Sequence, residues 1–111
     1  MKRALCIFAA VLVLTTGTTG QVRPESAAQQ AQAKKTLDTY CVTCHNSRLK
    51  AGDLALDALS LDAVHQNADI WEKAIRKLRG RLMPPPTSRQ PDQREIEAFV
   101  TWMEARLDSA R

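Results

Sequence analysis

Cys41-Val42-Thr43-Cys44-His45 is the stretch of sequence that decides the fold. Two thiols three positions apart, within one helical turn, can each add to a vinyl group at the edge of a porphyrin. The histidine that follows can then bind the iron. This Cys-x-x-Cys-His pattern is the attachment signature of c-type haem. We therefore predict one covalently bound haem c, with thioethers at Cys41 and Cys44 and with His45 as the proximal iron ligand.

A sixth iron ligand is predicted at Met83, within Leu82-Met83-Pro84-Pro85. Prolines prevent helix here, so the thioether can be held toward a metal without the constraint of helical geometry. Histidine with methionine is an axial pair of electron-transfer cytochromes c. His65 is the alternative ligand, although its polar neighbours favour solvent exposure. Met103 falls on the apolar face of the last helix and is expected in the core.

The first twenty residues have the layout of a secretory signal peptide. Basic Met1–Arg3 precedes an apolar run of thirteen residues, Ala4–Thr16, and small residues follow before Gln21. A bilayer span needs about 20 apolar residues. We therefore expect cleavage near Gly20, with Gly17 as the second candidate, no stable membrane span afterwards, and an exported, periplasmic bacterial protein. An uncleaved N-terminal anchor is the alternative.

Composition favours one small domain. The 111-residue chain has a net charge of +4, which falls to +2 if Lys2 and Arg3 leave with the leader, so nucleic-acid binding is not expected. Cys6 would leave as well, and Cys41 and Cys44 alone make no disulfide framework. A mature chain of about 90 residues has a marginal core. We expect the bound cofactor to contribute to folding.

Apolar residues recur at helical spacing in three parts of the chain, and no segment favours a strand. We predict an all-α cytochrome domain over residues 36–111, with three main helices and long loops. Residues 21–35 are rich in Ala and Gln and carry no bulky apolar residue after Val22. This segment is predicted to be a mobile tail that runs into the first helix.

Capping patterns predict where the later helices begin and end. Asp69 with Glu72 three positions later resembles a capping box, and so does Asp92 with Glu95. Gly80 stands where a left-handed C-terminal cap belongs. The second helix should therefore begin near Asp69 and end at Gly80, and the last should begin at Asp92.

The sequence around these motifs carries a family resemblance. The stretches concerned are Tyr40–Asn46, Leu49–Asp57, and Trp71–Lys73 through Leu78-Arg79 to Met83-Pro84-Pro85. Together they resemble the planctomycete-type cytochrome c domain and, more broadly, small class I cytochromes c. The resemblance spans roughly Leu37 to Leu107.

This resemblance implies three to four helices around one haem, with the first and last helices crossing beside it. It implies thioethers at Cys41 and Cys44 and axial ligation by His45 and Met83. Many class I cytochromes have a proline after the haem motif whose carbonyl accepts the N–H of the proximal histidine. Residues 46–60 contain no proline, so the acceptor for His45 is not identified.

One-electron transfer is the predicted function, because an iron with both axial positions filled by protein offers no site for a substrate. Catalysis by this haem is not expected. The alternative is a haem relay or sensor domain at the N-terminus of a larger exported enzyme. Positive charges before Met83 could steer an acidic redox protein to the haem edge, or simply form a solvated helix face. They are Arg76, Lys77, Arg79 and Arg81.

Two other uses of the cysteine motif are less favoured. Structural zinc requires four ligands, and the side chains of the adjacent Cys44 and His45 cannot easily coordinate the same ion. A thioredoxin-like redox pair would need a βαβ pattern, which is not present in the sequence.

Overall fold

The computed structural model describes residues 24–111 of the chain. This part contains three α-helices and three short 3-10 segments joined by loops. The signal peptide predicted for residues 1–20 lies outside this part. No strand occurs within residues 24–111, which confirms the all-α class. The helices are α1 (Pro24–Tyr40), α2 (Ala68–Arg79) and α3 (Gln93–Asp108), and the 3-10 segments are Ala51–Asp53, Leu56–Ala58 and Leu61–Asn67.

Helix α3 is the central element, because α1, α2 and the 3-10 segment Leu61–Asn67 all pack on it. Its predicted apolar face is buried as a whole, and Met103 is fully buried, which confirms its place in the core. Trp71 of α2 is the other large side chain that is almost completely buried. The remaining core side chains come from all of the packed elements: Ala33, Leu37, Leu56, Leu61, Val64, Ile75, Leu78, Ile96, Phe99, Val100, Trp102 and Leu107.

Helix α1 begins at Pro24, well within the segment 21–35 that was predicted to be a mobile tail. The structure differs from the prediction because Ala and Gln are good helix formers, and proline fits the first turn of a helix. Ala33 is buried although it is small, and the Gln30 side chain donates to Asp62 Oδ1 at 2.6 Å. Residues 24–35 are therefore helical, and α1 is tied to the loop opposite.

The start of α2 corrects one of the two predicted capping boxes. The N-cap residue is Asn67, whose side chain makes no capping hydrogen bond, and Asp69 lies inside the first turn. The Glu72 carboxylate pairs instead with Arg111 at 2.6 Å. The prediction was wrong because the segment Leu61–Asn67 leads directly into α2, so the helix needs no separate start signal.

The end of α2 corrects the predicted cap at Gly80. Gly80 keeps a right-handed backbone (φ −77°), and the left-handed residue is Arg81 (φ 57°). The N–H of Leu82 donates to Lys77 O at 2.9 Å, and that of Arg81 donates to Leu78 O at 3.2 Å. These two bonds form a Schellman motif. The turn therefore closes one residue later than predicted.

The capping box of α3 is confirmed. Asp92 is the N-cap, and its Oδ1 accepts from the N–H of Glu95 at 2.9 Å. The Glu95 carboxylate in turn accepts from the N–H of Asp92 at 3.3 Å.

Within residues 24–111, no helix is both long enough and apolar enough to cross a membrane.

Candidate haem-attachment site

The Cys-x-x-Cys-His motif continues the last turn of α1. The N–H of Cys41 donates to Leu37 O at 3.0 Å, and the N–H groups of Cys44 and His45 both donate to Cys41 O, at 3.2 and 2.9 Å. This winding keeps the two thiols within one turn and places His45 directly after it. Both cysteines are free thiols, Cys41 half-buried and Cys44 exposed. The local geometry therefore suits attachment of one group at two points.

The Cys41 side chain lies against the apolar core. It borders a small space beside the segment that follows Met83 and the start of α3. Burial raises the pKa of the Cys41 thiol to about 11, so the group is uncharged at neutral pH. The other residues around this space are Thr36, Tyr40, Leu78, Pro84, Pro91, Ile96 and Phe99.

His45 has the hydrogen bond that the sequence left without an acceptor. Its Nδ1 lies 2.5 Å from the backbone oxygen of Ala51. A carbonyl oxygen can only accept, so the proton is on Nδ1, and Nε2 keeps a lone pair for a metal. Within the described chain Nε2 makes no hydrogen bond. A carbonyl that accepts a hydrogen bond from Nδ1 fixes the tautomer and orientation of an imidazole that binds metal through Nε2.

Gly52 follows this carbonyl and closes against the imidazole. Its backbone is left-handed (φ 63°), a conformation that glycine adopts readily. A Cβ at this position would lie 3.7 Å from Cε1 of His45, which is ordinary van der Waals contact. The backbone conformation, and not a lack of space, therefore favours glycine here.

Asn46 organises the loop between His45 and Ala51, a role that sequence reasoning missed. Its Nδ2 donates to Val42 O at 2.8 Å, back onto the haem motif. Its Oδ1 accepts from the N–H groups of Arg48 and Leu49, at 3.0 and 2.9 Å. Asn46 therefore folds the loop that brings the Ala51 carbonyl to His45. The available signal was the ability of asparagine to bond to nearby backbone.

Tyr40 ties the haem motif to the start of α3. Its hydroxyl donates to Glu95 Oε2 at 3.1 Å, and the Arg89 guanidinium lies 5.5 Å from the centre of its ring. Desolvation raises the pKa of the Tyr40 phenol, and the hydrogen bond to Glu95 raises it further. The capping box of α3 therefore also fixes the residue that precedes Cys41.

Met83 lies in the non-helical connection between α2 and α3, with 36% of its surface exposed. Leu82 before it is also exposed, whereas Pro84 after it is buried. Among the described residues, the large hydrophobic side chains that are exposed are Leu49, Leu82 and Met83. Each belongs to a loop that adjoins a predicted iron ligand in sequence, which is where a bound macrocycle would cover apolar surface.

The residues present fit a covalently attached haem. The donor set contains two free thiols on one turn, an imidazole with Nε2 available, and an accessible thioether. Trp71 in the core is consistent with a bound cofactor, because its indole N–H is buried and has no acceptor in residues 24–111. An unpaired buried donor costs about 1–3 kcal/mol. An acceptor group on a bound cofactor would remove that cost.

The alternative metal sites find less support. No three side chains of His, Cys, Asp or Glu converge on one point within residues 24–111. Structural zinc requires such convergence. His65 is exposed in the segment Leu61–Asn67, as its polar neighbours predicted.

One sizeable cleft of the described chain does not coincide with the predicted ligands. It has a volume of about 760 Å³ and lies between α1 and the loop over residues 56–62. None of Cys41, Cys44, His45 or Met83 lines it. The candidate haem site is therefore identified by its donor atoms and not by this cleft.

Three of the four clustered cations form no ion pair within residues 24–111. Arg79 forms an ion pair with Glu104 at 2.7 Å, so the Glu104 carboxylate partly offsets the positive charge of Arg79 at the surface. Arg76 and Arg81 are exposed and Lys77 is half-buried, and none of the three forms an ion pair with a residue of the described chain.

Residues 41–87 match the family model described as Planctomycete cytochrome C. The matched stretch begins at Cys41 and extends past Met83, so it contains all four predicted haem-binding residues. No curated protein matches the chain, and neither does any solved structure.

Proposed function

We propose that this chain, which carries a planctomycete-type cytochrome c domain, is an exported one-electron carrier with one covalently bound haem c. Cys41 and Cys44 would hold the haem through thioethers, and His45 and Met83 would bind its iron. The haem iron, when bound, supplies the reversible gain and loss of one electron. The observation that carries the proposal is the hydrogen bond from His45 Nδ1 to Ala51 O.

His45 and its support do more than supply one ligand atom. The Ala51 carbonyl holds the imidazole in the tautomer whose Nε2 binds metal and increases the electron density of the ring. Asn46 and Gly52 keep that carbonyl in place. A ring held in this way needs little rearrangement when the charge at the metal changes.

Met83 decides between a carrier and a catalyst. Iron bound by both His45 and Met83 would have no coordination position open to a substrate or to oxygen. A thioether ligand also raises the reduction potential relative to a second imidazole or water. The proposal is therefore electron transfer, with no chemistry on a bound substrate.

Replacing Met83 tests this assignment. We expect Met83→Ala to lose the weak near-infrared absorption band of a methionine–iron bond, to become high-spin, and to bind cyanide rapidly. Its reduction potential should fall. Met103→Leu is the matched control, because Met103 is buried in α3 and should leave the spectrum unchanged.

The opposite result would overturn distal ligation by Met83. An unaltered spectrum in Met83→Ala, together with loss of the low-spin spectrum in His65→Ala, would assign the distal ligand to His65. A pyridine haemochrome spectrum of haem with intact vinyl groups would contradict thioethers at Cys41 and Cys44.

The docking surface for an acidic redox partner is proposed at Arg76, Lys77 and Arg81, with Arg79 contributing less because Glu104 pairs with it. Reversing two charges, Arg76→Glu with Arg81→Glu, should slow electron exchange with an acidic partner at low salt and weaken its salt dependence. Reversing the exposed Lys34 and Lys35 of α1 makes the same change in net charge and is the control. Equal effects of the two double variants would contradict a local docking surface.

A further inference from the structure

Gln90 lies between α2 and α3, and its side-chain amide donates hydrogen bonds to three backbone carbonyls of the segment that follows Met83. Its Nε2 is 3.1 Å from Pro84 O, 2.7 Å from Pro85 O and 3.2 Å from Ser88 O. An amide NH₂ has two hydrogens, so at least one of them is shared between two acceptors. We propose that Gln90 is a positioning residue for Met83, an inference that rests on the proposed distal ligation.

The segment Pro84–Pro86 depends on a side-chain donor such as Gln90, because it has no backbone N–H groups of its own. Pro84, Pro85 and Pro86 follow one another, and proline has no N–H. Within residues 84–90, the only hydrogen bond between backbone groups runs from Ser88 N to Pro85 O, at 2.9 Å. Without the Gln90 amide, the Pro84 carbonyl would have no donor within residues 24–111, and the Pro85 carbonyl would keep only the bond from Ser88 N.

Met83 lies between two anchored points of the backbone. Before it, the Schellman bond from Leu82 N to Lys77 O ends α2. After it, Pro84 is buried beside Cys41, and its carbonyl accepts from Gln90. Because the Met83 side chain is itself partly exposed, the position of its sulfur depends on these anchors more than on packing.

Gln90 can be replaced without disturbing the core, because the residue is exposed. Gln90→Leu removes all three hydrogen bonds and keeps the approximate size of the side chain. Gln90→Glu keeps the length of the side chain, removes the N–H donors and places a negative charge against the same carbonyl oxygens. Gln93→Leu is the matched control, since Gln93 is an exposed glutamine of α3 that bonds only to Glu97, at 2.8 Å.

The experiment uses the haem-attached protein and measures the rate of cyanide binding to the ferric form, the near-infrared band and the thermal midpoint. Both Gln90 variants should bind cyanide about tenfold faster than wild type, the factor expected from losing one or two ordinary hydrogen bonds. The band should weaken, and Gln93→Leu should behave as wild type. A purely structural role would lower the midpoint without a preferential change in cyanide binding.

Each outcome separates this proposal from the one on which it rests. A wild-type band with unchanged cyanide binding in both Gln90 variants would overturn the role of Gln90 and leave Met83 ligation intact. Absence of the band in wild type would overturn Met83 ligation, and the role of Gln90 with it. Equal acceleration in Gln93→Leu would also count against a specific role for Gln90.

Discussion

At the scale of single residues, the support of His45 is the main addition that the structure makes. The side-chain pattern identifies His45, but its hydrogen-bond acceptor is a backbone oxygen. Every residue carries such an oxygen, so no sequence pattern marks Ala51. The left-handed backbone of the neighbouring Gly52 likewise depends on how this loop folds.

Gly52→Ala should lower the free energy of unfolding by about 1 kcal/mol, because a Cβ in the left-handed region meets its own backbone. Denaturant unfolding of the haem-attached protein measures the change. Gly80→Ala adds the same methyl group at a right-handed φ of −77° and should cost less. If the two losses were equal, backbone conformation at Gly52 would not be the cause.

At the scale of helices, the two predicted capping boxes had opposite outcomes. Asp92 and Glu95 form one because α3 starts from an extended residue, where the chain needs a start signal. Asp69 and Glu72 do not, since a 3-10 segment already leads into α2. The residue types and their spacing are the same in both places, so the preceding backbone decides which pair forms the box.

Asp92→Ala should therefore lower the free energy of unfolding by about 1 kcal/mol, the usual contribution of an N-cap side chain. Asp69→Ala should cost about 0.5 kcal/mol or less, since only a favourable interaction with the helix dipole is lost. Thermal or denaturant unfolding of both variants makes the comparison. A larger loss in Asp69→Ala would contradict the assignment of the helix starts.

At the scale of the whole molecule, the haem is expected to stabilise the fold. A domain of this size buries only about 60% of its unfolded surface. Leu49, Leu82 and Met83 are exposed in the described chain. We expect Cys41→Ala with Cys44→Ala, which cannot form thioethers, to lose helical content and to unfold at a lower temperature than the haem-attached protein. Far-ultraviolet circular dichroism on heating measures both, and equal midpoints would contradict this role of the haem.

The pH dependence of stability provides a second comparison, between the wild-type chain before and after haem attachment. In the wild-type chain before haem attachment, burial raises the pKa of Cys41 from 9.0 to about 11. The folded state then holds a proton that the unfolded state releases. The stability is complete below pH 9 and falls by about 2 kcal/mol or less as the pH rises to about 11. A thioether at Cys41 does not titrate, so the haem-attached protein should lack this loss.

The sequence by itself determined the features that depend on local spacing. These are the all-α class, the apolar face of α3, the capping box at Asp92, and the Cys-x-x-Cys-His motif from Cys41 to His45 with its family resemblance. Helical periodicity and covalent spacing act over a few residues, so they are visible in the chain.

The tertiary structure decided the features that depend on where distant backbone lies. It shows Ala51 O bonded to His45, the amide of Gln90 on the carbonyls after Met83, and the left-handed turn at Arg81 instead of Gly80. Backbone carbonyls are chemically alike, and a turn can move by one residue at little cost. Which of them meets a given side chain is settled only when the helices pack together.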